Sequence, residues 1–188
     1  MSTLYMMRHG QTLFNKLHRK QGWCDSPLTE LGVEQAKSAG EWFAEQGITF
    51  DHAYSSTSER ACDTLELAVP GMAYERMKGL KERSFGVFEG LTEDTNIPAP
   101  YKDFYVQFGG EGDNEFSDRL MRTCTEIMER PGHETVLAVS HGAACAQMLR
   151  TNGFEIANSG RFLGNCAIVV FDYTDGTFTM RDIINPND

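Results

Sequence analysis

Apolar positions along this chain fall into short runs and helical stripes separated by polar punctuation. Leu4-Tyr5-Met6-Met7 is a continuous apolar run that stops abruptly at Arg8-His9-Gly10 and predicts a buried strand. A polar stretch leads to Pro27, and Thr29 offers the side-chain oxygen of a helix N-cap. Leu31, Gln35, Ala39, Trp42 and Phe43 then recur at helical spacing until Gly47 breaks the pattern. Asp51 to Ser55 predicts a weak second strand. Ser56 and Glu59 match an S-x-x-E capping box, which predicts a helix starting there with Arg60 in its first turn.

Residues 71–110 mix glycine, proline and aromatics without a period, and predict mostly loop with a short helix near 100–107. Phe116 to Glu129 predicts a helix with Leu120, Thr123, Cys124 and Ile127 on one face. Thr135 to Val139 is rich in β-branched residues and is the clearest strand; it ends at Ser140-His141-Gly142. A helix over Ala143–Arg150 follows, stopped by Asn152-Gly153. Ala167–Phe171 and Thr177–Arg181 predict closing strands around an Asp175-Gly176 turn. Strands alternating with helices imply an α/β layered fold with a largely parallel central sheet. Ligands in such folds sit beyond the carboxyl ends of the strands.

The length of 188 residues suits one domain, 1–188, with a substantial core. No apolar run reaches the roughly 18 residues of a membrane span. The N-terminal segment lacks a basic leader and an apolar h-region, so a cytoplasmic location is expected. The five cysteines are widely spaced with no C-x-x-C pair, which predicts reduced thiols buried as small hydrophobes. A formal net charge of −10 with no basic stripe argues against nucleic acid as a partner. An anionic small substrate must then be held by a local cluster of arginine and histidine.

Two predicted strands end in histidine followed by glycine. Parallel pairing would bring His9 and His141 to one sheet edge, where glycine lets a ligand approach closely. Peptide N–H groups at the helix start after His141 favour an anion, and the planar guanidinium of Arg8 matches phosphate oxygens. Either histidine alone reads more simply as a hydrogen-bonded structural residue. The matched pair, with Arg8 beside it and Arg60 at a helix start, points to an anion site. Glu82, between Lys81 and Arg83, could equally be part of a surface charge cluster. Arg83 is read as a salt-bridge partner, Trp23 and Trp42 as core, and Glu111-Gly112-Asp113-Asn114-Glu115 as a solvated turn. His18, His52 and His133 are given no chemistry.

Met7-Arg8-His9-Gly10-Gln11-Thr12 resembles the signature of the histidine phosphatase superfamily, the phosphoglycerate mutase-like group, branch 1. The likeness continues through Asn15, Gly22–Gly32, Ser55–Thr64, Leu80–Gly86 and Val139–Gly142, with Asn165-Cys166-Ala167 matching the last core strand. These blocks come in the family's order and span nearly the whole chain. The resemblance implies a three-layer α/β/α sandwich with a mostly parallel sheet and a lid at about 84–116. It implies that His9 attacks phosphorus and becomes a phosphohistidine. Arg8, Arg60 and His141 would hold the phosphoryl oxygens, Asn15 would add a hydrogen bond, and Glu82 would serve as acid and then base. Such chemistry is mostly positioning and charge stabilisation, and requires no metal or other cofactor.

Mutases of this group carry extra basic residues after the acid motif. Here Lys102 is the only basic residue between Arg83 and Arg119, and Phe85 stands where mutases have tyrosine. The expectation is a phosphatase acting on a small phosphorylated metabolite, with no membrane partner. Phosphoglycerate mutase activity is the alternative, and a phosphoprotein phosphatase or a regulatory phospho-ligand binding module ranks below it. Oligomeric state stays open, a homodimer among the options.

Overall fold

The computed structural model describes residues 2–97, 101–156 and 159–188. Its strands are β1 (Ser2–Arg8), β2 (His52–Ser56), β3 (Tyr74–Met77), β4 (Thr135–Ser140), β5 (Ile168–Thr174) and β6 (Thr177–Ile184). They form one sheet in the order β3-β2-β4-β1-β5-β6. The first four run parallel, and β5 and β6 add an antiparallel flank. The helices are α1 (Leu13–Lys16), α2 (Glu30–Glu45), α3 (Glu59–Ala68), α4 (Asp113–Met128) and α5 (Gly142–Thr151).

Alternation along each strand divides the core between two faces. Leu4 and Met6 of β1, with Val136 and Ala138 of β4, pack against Phe116 and Leu120 of α4 and Met148 of α5. Met7 of β1, with Leu137 and Val139 of β4, packs against Ala39 and Phe43 of α2 and Leu65 of α3. Helices thus cover both faces, which is why the inner strands read as unbroken apolar runs. This is the expected α/β fold with helical layers on either side of a mostly parallel sheet.

Local details depart from the sequence reading for identifiable reasons. The Ser56–Glu59 capping box does not form. Ser56 ends β2, and Ser58 stands at the N-cap of α3 without a side-chain cap bond. The Ser56 hydroxyl instead accepts the Ser58 amide hydrogen at 3.0 Å and meets His141 Nε2 at 2.8 Å. A reciprocal capping box does form at Thr12 and Asn15, opening α1. Strand β3 was not foreseen; it is a short, half-exposed edge strand and carries no alternating pattern.

Helix α4 starts at Asp113, ahead of Phe116. Glu111 is buried and paired with Arg119, so the acidic stretch is not a solvated turn. Asn165 and Cys166 form a turn before β5 rather than part of it, with Cys166 at φ +59°. The lid carries isolated 3₁₀ turns at Gly86–Phe88, Glu93–Thr95 and Val106–Phe108. The helix expected near 100–107 is reduced to the last of these turns; residue 100 lies outside the described residues. No described helix is long and apolar enough to cross a membrane.

Candidate active site

Strand register fixes the site. Arg8 pairs with Ser140, and Ser55 pairs with Val139, so β1, β4 and β2 end side by side. His9 and His141 follow directly, with ring centroids 5.3 Å apart. Glycine makes the turn after His9 possible. A Cβ on Gly10 would lie 2.4 Å from the Gly32 carbonyl oxygen, and one on Gly32 would lie 2.1 Å from that of Gln11. Only two glycines let the first loop seat on the start of α2.

His9 is buried, and its Nδ1 donates to its neighbour Gly10's carbonyl oxygen at 2.8 Å. That bond leaves Nε2 unprotonated and available as a nucleophile. Burial holds the His9 pKa well below the ordinary histidine value, and Arg60 and Arg8 push it further down. The ring is therefore neutral at physiological pH.

His141 is fully buried at the N-cap of α5. Ser56 Oγ accepts the Ser58 amide hydrogen and lies 2.8 Å from His141 Nε2, where the tautomer of the ring sets which atom donates. Nδ1 has no partner among the described residues. Burial, then Arg60 and His9, lower the His141 pKa well below its ordinary value. Arg8 Nη1 donates to the Leu163 carbonyl at 2.7 Å, and Arg8 Nε is buried without an acceptor. Arg60 is fully buried. Its terminal nitrogens donate to the carbonyls of Cys24 and Gly22 and to Asp25, while Nε has no partner among the described residues. Arg8 Nε, Arg60 Nε and His141 Nδ1 are thus buried without a hydrogen-bond partner among the described residues, as is Arg83 Nε farther along the chain. Buried N–H groups rarely stay unpaired, and an oxyanion supplies what these lack.

Glu82 is buried at 6% exposure, and its two oxygens accept the Arg83 and Ala143 amides, each at 2.9 Å. Burial raises its pKa above the ordinary carboxylate value, although both amides, Arg60 and Arg8 pull the other way. Its backbone is clamped. Trp23 Nε1 and Arg119 Nη2 both donate to the Glu82 carbonyl, and Arg119 also reaches the carbonyls of Gly79 and Lys81. Glu111 pairs with Arg119 and accepts the Ser84 amide.

A pocket of about 210 Å³ opens here, lined by Arg8, His9, Asn15 and Glu82 among the residues singled out from sequence. Arg60 and His141 are not among its lining residues. Asn15, which lines the pocket, uses its carbonyl oxygen internally, accepting from Thr12 and Asn165, and its amide nitrogen makes no hydrogen bond among the described residues. Arg83 is a salt-bridge partner as read, 2.7 Å from Asp113. Sequence reasoning missed the supporting residues Ser56, Asp25, Glu111, Arg119 and Glu89, whose carboxylate accepts the Trp23, Cys24 and Phe85 amides. It also missed Lys20, which lines the pocket. Only Asp25 and Ser56 lay inside blocks carrying the resemblance, and that position was the signal available.

Several known proteins resemble this chain. It is 36% identical over 157 residues, covering 74% of each chain, to a 2,3-bisphosphoglycerate-dependent phosphoglycerate mutase of Rhizobium etli (strain CIAT 652). Its fold matches a phosphoglycerate mutase from Bacillus anthracis str. Sterne at TM-score 0.81, with 29% identity over 96% of this chain and 92% of that one. It equally matches a phosphoserine phosphatase from Entamoeba histolytica in complex with 3-phosphoglyceric acid, at TM-score 0.80 and 28% identity over 97% and 96% of the two chains. The family model of the histidine phosphatase superfamily (branch 1) matches residues 4–186. A neutral, buried His9 beside His141 and Glu82, in a chain matched almost end to end, makes this protein a member of the histidine phosphatase superfamily.

Proposed function

We propose that this member is a phosphatase that hydrolyses the phosphate monoester of a small metabolite through a phosphohistidine on His9. Nε2 of His9 attacks phosphorus, and the P–O bond to the leaving group breaks. The protonated carboxyl of Glu82 gives its proton to the departing alkoxide. Water then loses a proton to the Glu82 carboxylate and attacks the phosphohistidine, releasing phosphate and restoring both groups. The orphan donors of Arg8, Arg60 and His141, with the Asn15 amide, are the groups proposed to meet the equatorial oxygens.

The observation that carries hydrolysis over transfer is the use of the cations around the lid. Arg83 is spent on Asp113 and Arg119 on Glu111, while Lys102 is exposed and does not line the pocket. A mutase must retain a twice-phosphorylated intermediate, and besides Arg8 the cations lining the pocket among the described residues are Arg19, which already donates to the Gly90 carbonyl, and Lys20. Mutase activity is the second reading, supported by the 36% identity to the Rhizobium etli mutase. Incubation with 3-phosphoglycerate and a trace of 2,3-bisphosphoglycerate, followed by phosphorus NMR, separates them. Release of inorganic phosphate is expected; efficient formation of 2-phosphoglycerate without phosphate would reverse the order. Hydrolysis of p-nitrophenyl phosphate that survives His9→Ala unchanged would remove His9 from the role of nucleophile.

A further inference from the structure

The Gly22–Asp25 loop that holds Arg60 has no helix or strand of its own, so contacts from outside must fix its shape. It offers Arg60 the Gly22 carbonyl at 2.9 Å and the Cys24 carbonyl at 3.0 Å. Its N–H groups go to Glu89. Glu89 Oε1 accepts the Trp23 amide at 2.9 Å, and Oε2 accepts the Cys24 amide at 2.5 Å. Oε1 also accepts the Phe85 amide at 3.1 Å, three residues beyond Glu82. Glu89 is half-buried and forms no ion pair among the described residues, so backbone amides are what satisfy its carboxylate. Gly22 makes the approach possible: a Cβ there would lie 2.6 Å from Glu89 Oε1.

The peptide group between Gly22 and Trp23 is the joint. Its N–H donates to the Glu89 carboxylate and its C=O accepts from Arg60 Nη2. A trans peptide is planar with its N–H and C=O pointing opposite ways, so fixing one end aims the other. An anion at the N–H and a guanidinium at the C=O polarise that peptide in the same sense, and each bond strengthens the other. Trp23 carries the link to the acid as well, because its indole N–H donates to the Glu82 carbonyl at 2.9 Å. The Phe85 amide ties the far end of the same segment to the same carboxylate. One side chain thus joins the cradle of Arg60 to the stretch of chain that bears Glu82.

We infer that Glu89 is a positioning residue: its carboxylate aligns the loop that aims Arg60 and at the same time sets the backbone that carries Glu82. It does not line the pocket, so it acts through these two residues. A neutral isostere cannot replace it. In Glu89→Gln one oxygen becomes an NH2 donor that faces an amide N–H, and at least one of the three amides loses its acceptor. The inference rests on the proposed roles of Arg60 as a phosphoryl ligand and Glu82 as the acid.

Two measurements test it in the full-length protein. Calorimetric binding of inorganic phosphate reads Arg60 without turnover. Glu89→Gln should weaken that binding about tenfold, the scale of a hydrogen bond to a charged group. The ratio of kcat/KM for an alkyl phosphate to that for p-nitrophenyl phosphate reads Glu82. It should fall in the same variant, because only the alkyl leaving group needs the proton. A residue that merely supports the fold would lower the urea midpoint and leave both readouts of the folded protein unchanged. If Glu89→Gln does not fold, Glu89→Asp keeps the charge but withdraws it by one methylene, and the same two measurements apply. Unchanged phosphate affinity, or equal losses with the two esters, would overturn the proposal. The wild type separates this outcome from a failure of the underlying reading. If it binds phosphate and hydrolyses p-nitrophenyl phosphate while the variant keeps both readouts, Glu89 alone is wrongly assigned. If the wild type neither binds nor hydrolyses, the phosphate-site reading fails and the role of Glu89 with it.

Discussion

Burial pushes His9 and Glu82 toward their neutral forms from opposite sides of neutrality. For His9 it disfavours the imidazolium, and for Glu82 it disfavours the carboxylate. A neutral imidazole is a nucleophile and a protonated carboxyl is an acid, so one dry site prepares both proposed partners. With an alkyl phosphate, kcat/KM should fall on the acid side as His9 protonates, below the ordinary histidine range. It should fall on the alkaline side as Glu82 ionises, above the ordinary carboxylate range. Glu82→Gln should cost on the order of a hundred- to ten-thousandfold with an alkyl ester and abolish the alkaline limb. The loss should be much smaller with p-nitrophenyl phosphate, whose leaving group departs without a proton. Steady-state pH–rate profiles with the two esters check this, and equal losses with both would make Glu82 a structural residue.

At the scale of elements, the segment carrying Glu82 has no regular structure beyond a 3₁₀ turn at Lys78–Leu80 and is held in place by α4. Arg119 spans three carbonyls of that segment and is itself oriented by Glu111. Glu111→Ala would strand a largely buried guanidinium and the Ser84 amide. The expected cost is about 3–5 kcal/mol, the range for breaking a buried pair from one side. Urea denaturation measures it, and a change below about 1 kcal/mol, the surface-pair range, would make the clamp incidental. A second joint is the contact between the first loop and α2. In Gly32→Ala the new methyl group meets the Gln11 carbonyl, so α2 must retreat and draw the His9 turn with it. Both melting temperature and kcat should drop, and a fully active variant would show that the loop has room to move.

Across the whole molecule, the buried histidines tie stability to pH. His9 and His141 have folded pKa values below the unfolded one, so the unfolded chain binds more protons in the window beneath about 6.5. Their contribution is fully present above that value and is lost as pH falls toward the folded pKa values. Each group makes a slope of at most about 1.4 kcal/mol per pH unit. Denaturation between pH 7 and 5 should show stability falling with pH, and His9→Ala should flatten the slope. An unchanged slope would mean that His9 is protonated in the folded state.

Much of this architecture was legible in the chain. Runs such as Leu4–Met7 and Thr135–Val139 are continuous because helices cover both faces of the sheet, and that continuity survives as a sequence pattern. The two His-Gly strand ends were legible for the same reason: each strand stops where its apolar run stops. By itself the sequence determined the α/β class, the family and the residues expected to meet phosphate. Tertiary structure alone decided that Arg60 is held by the Gly22–Asp25 loop, that Ser56 serves His141 instead of capping a helix, and that Glu111 is an internal clamp. It also decided that Lys20 meets Tyr105 across 85 positions of chain. Periodicity reports what one segment buries, whereas these contacts join segments whose spacing carries no period. Only the packing of the lid against the loop after α1 brings that amine to the Tyr105 hydroxyl.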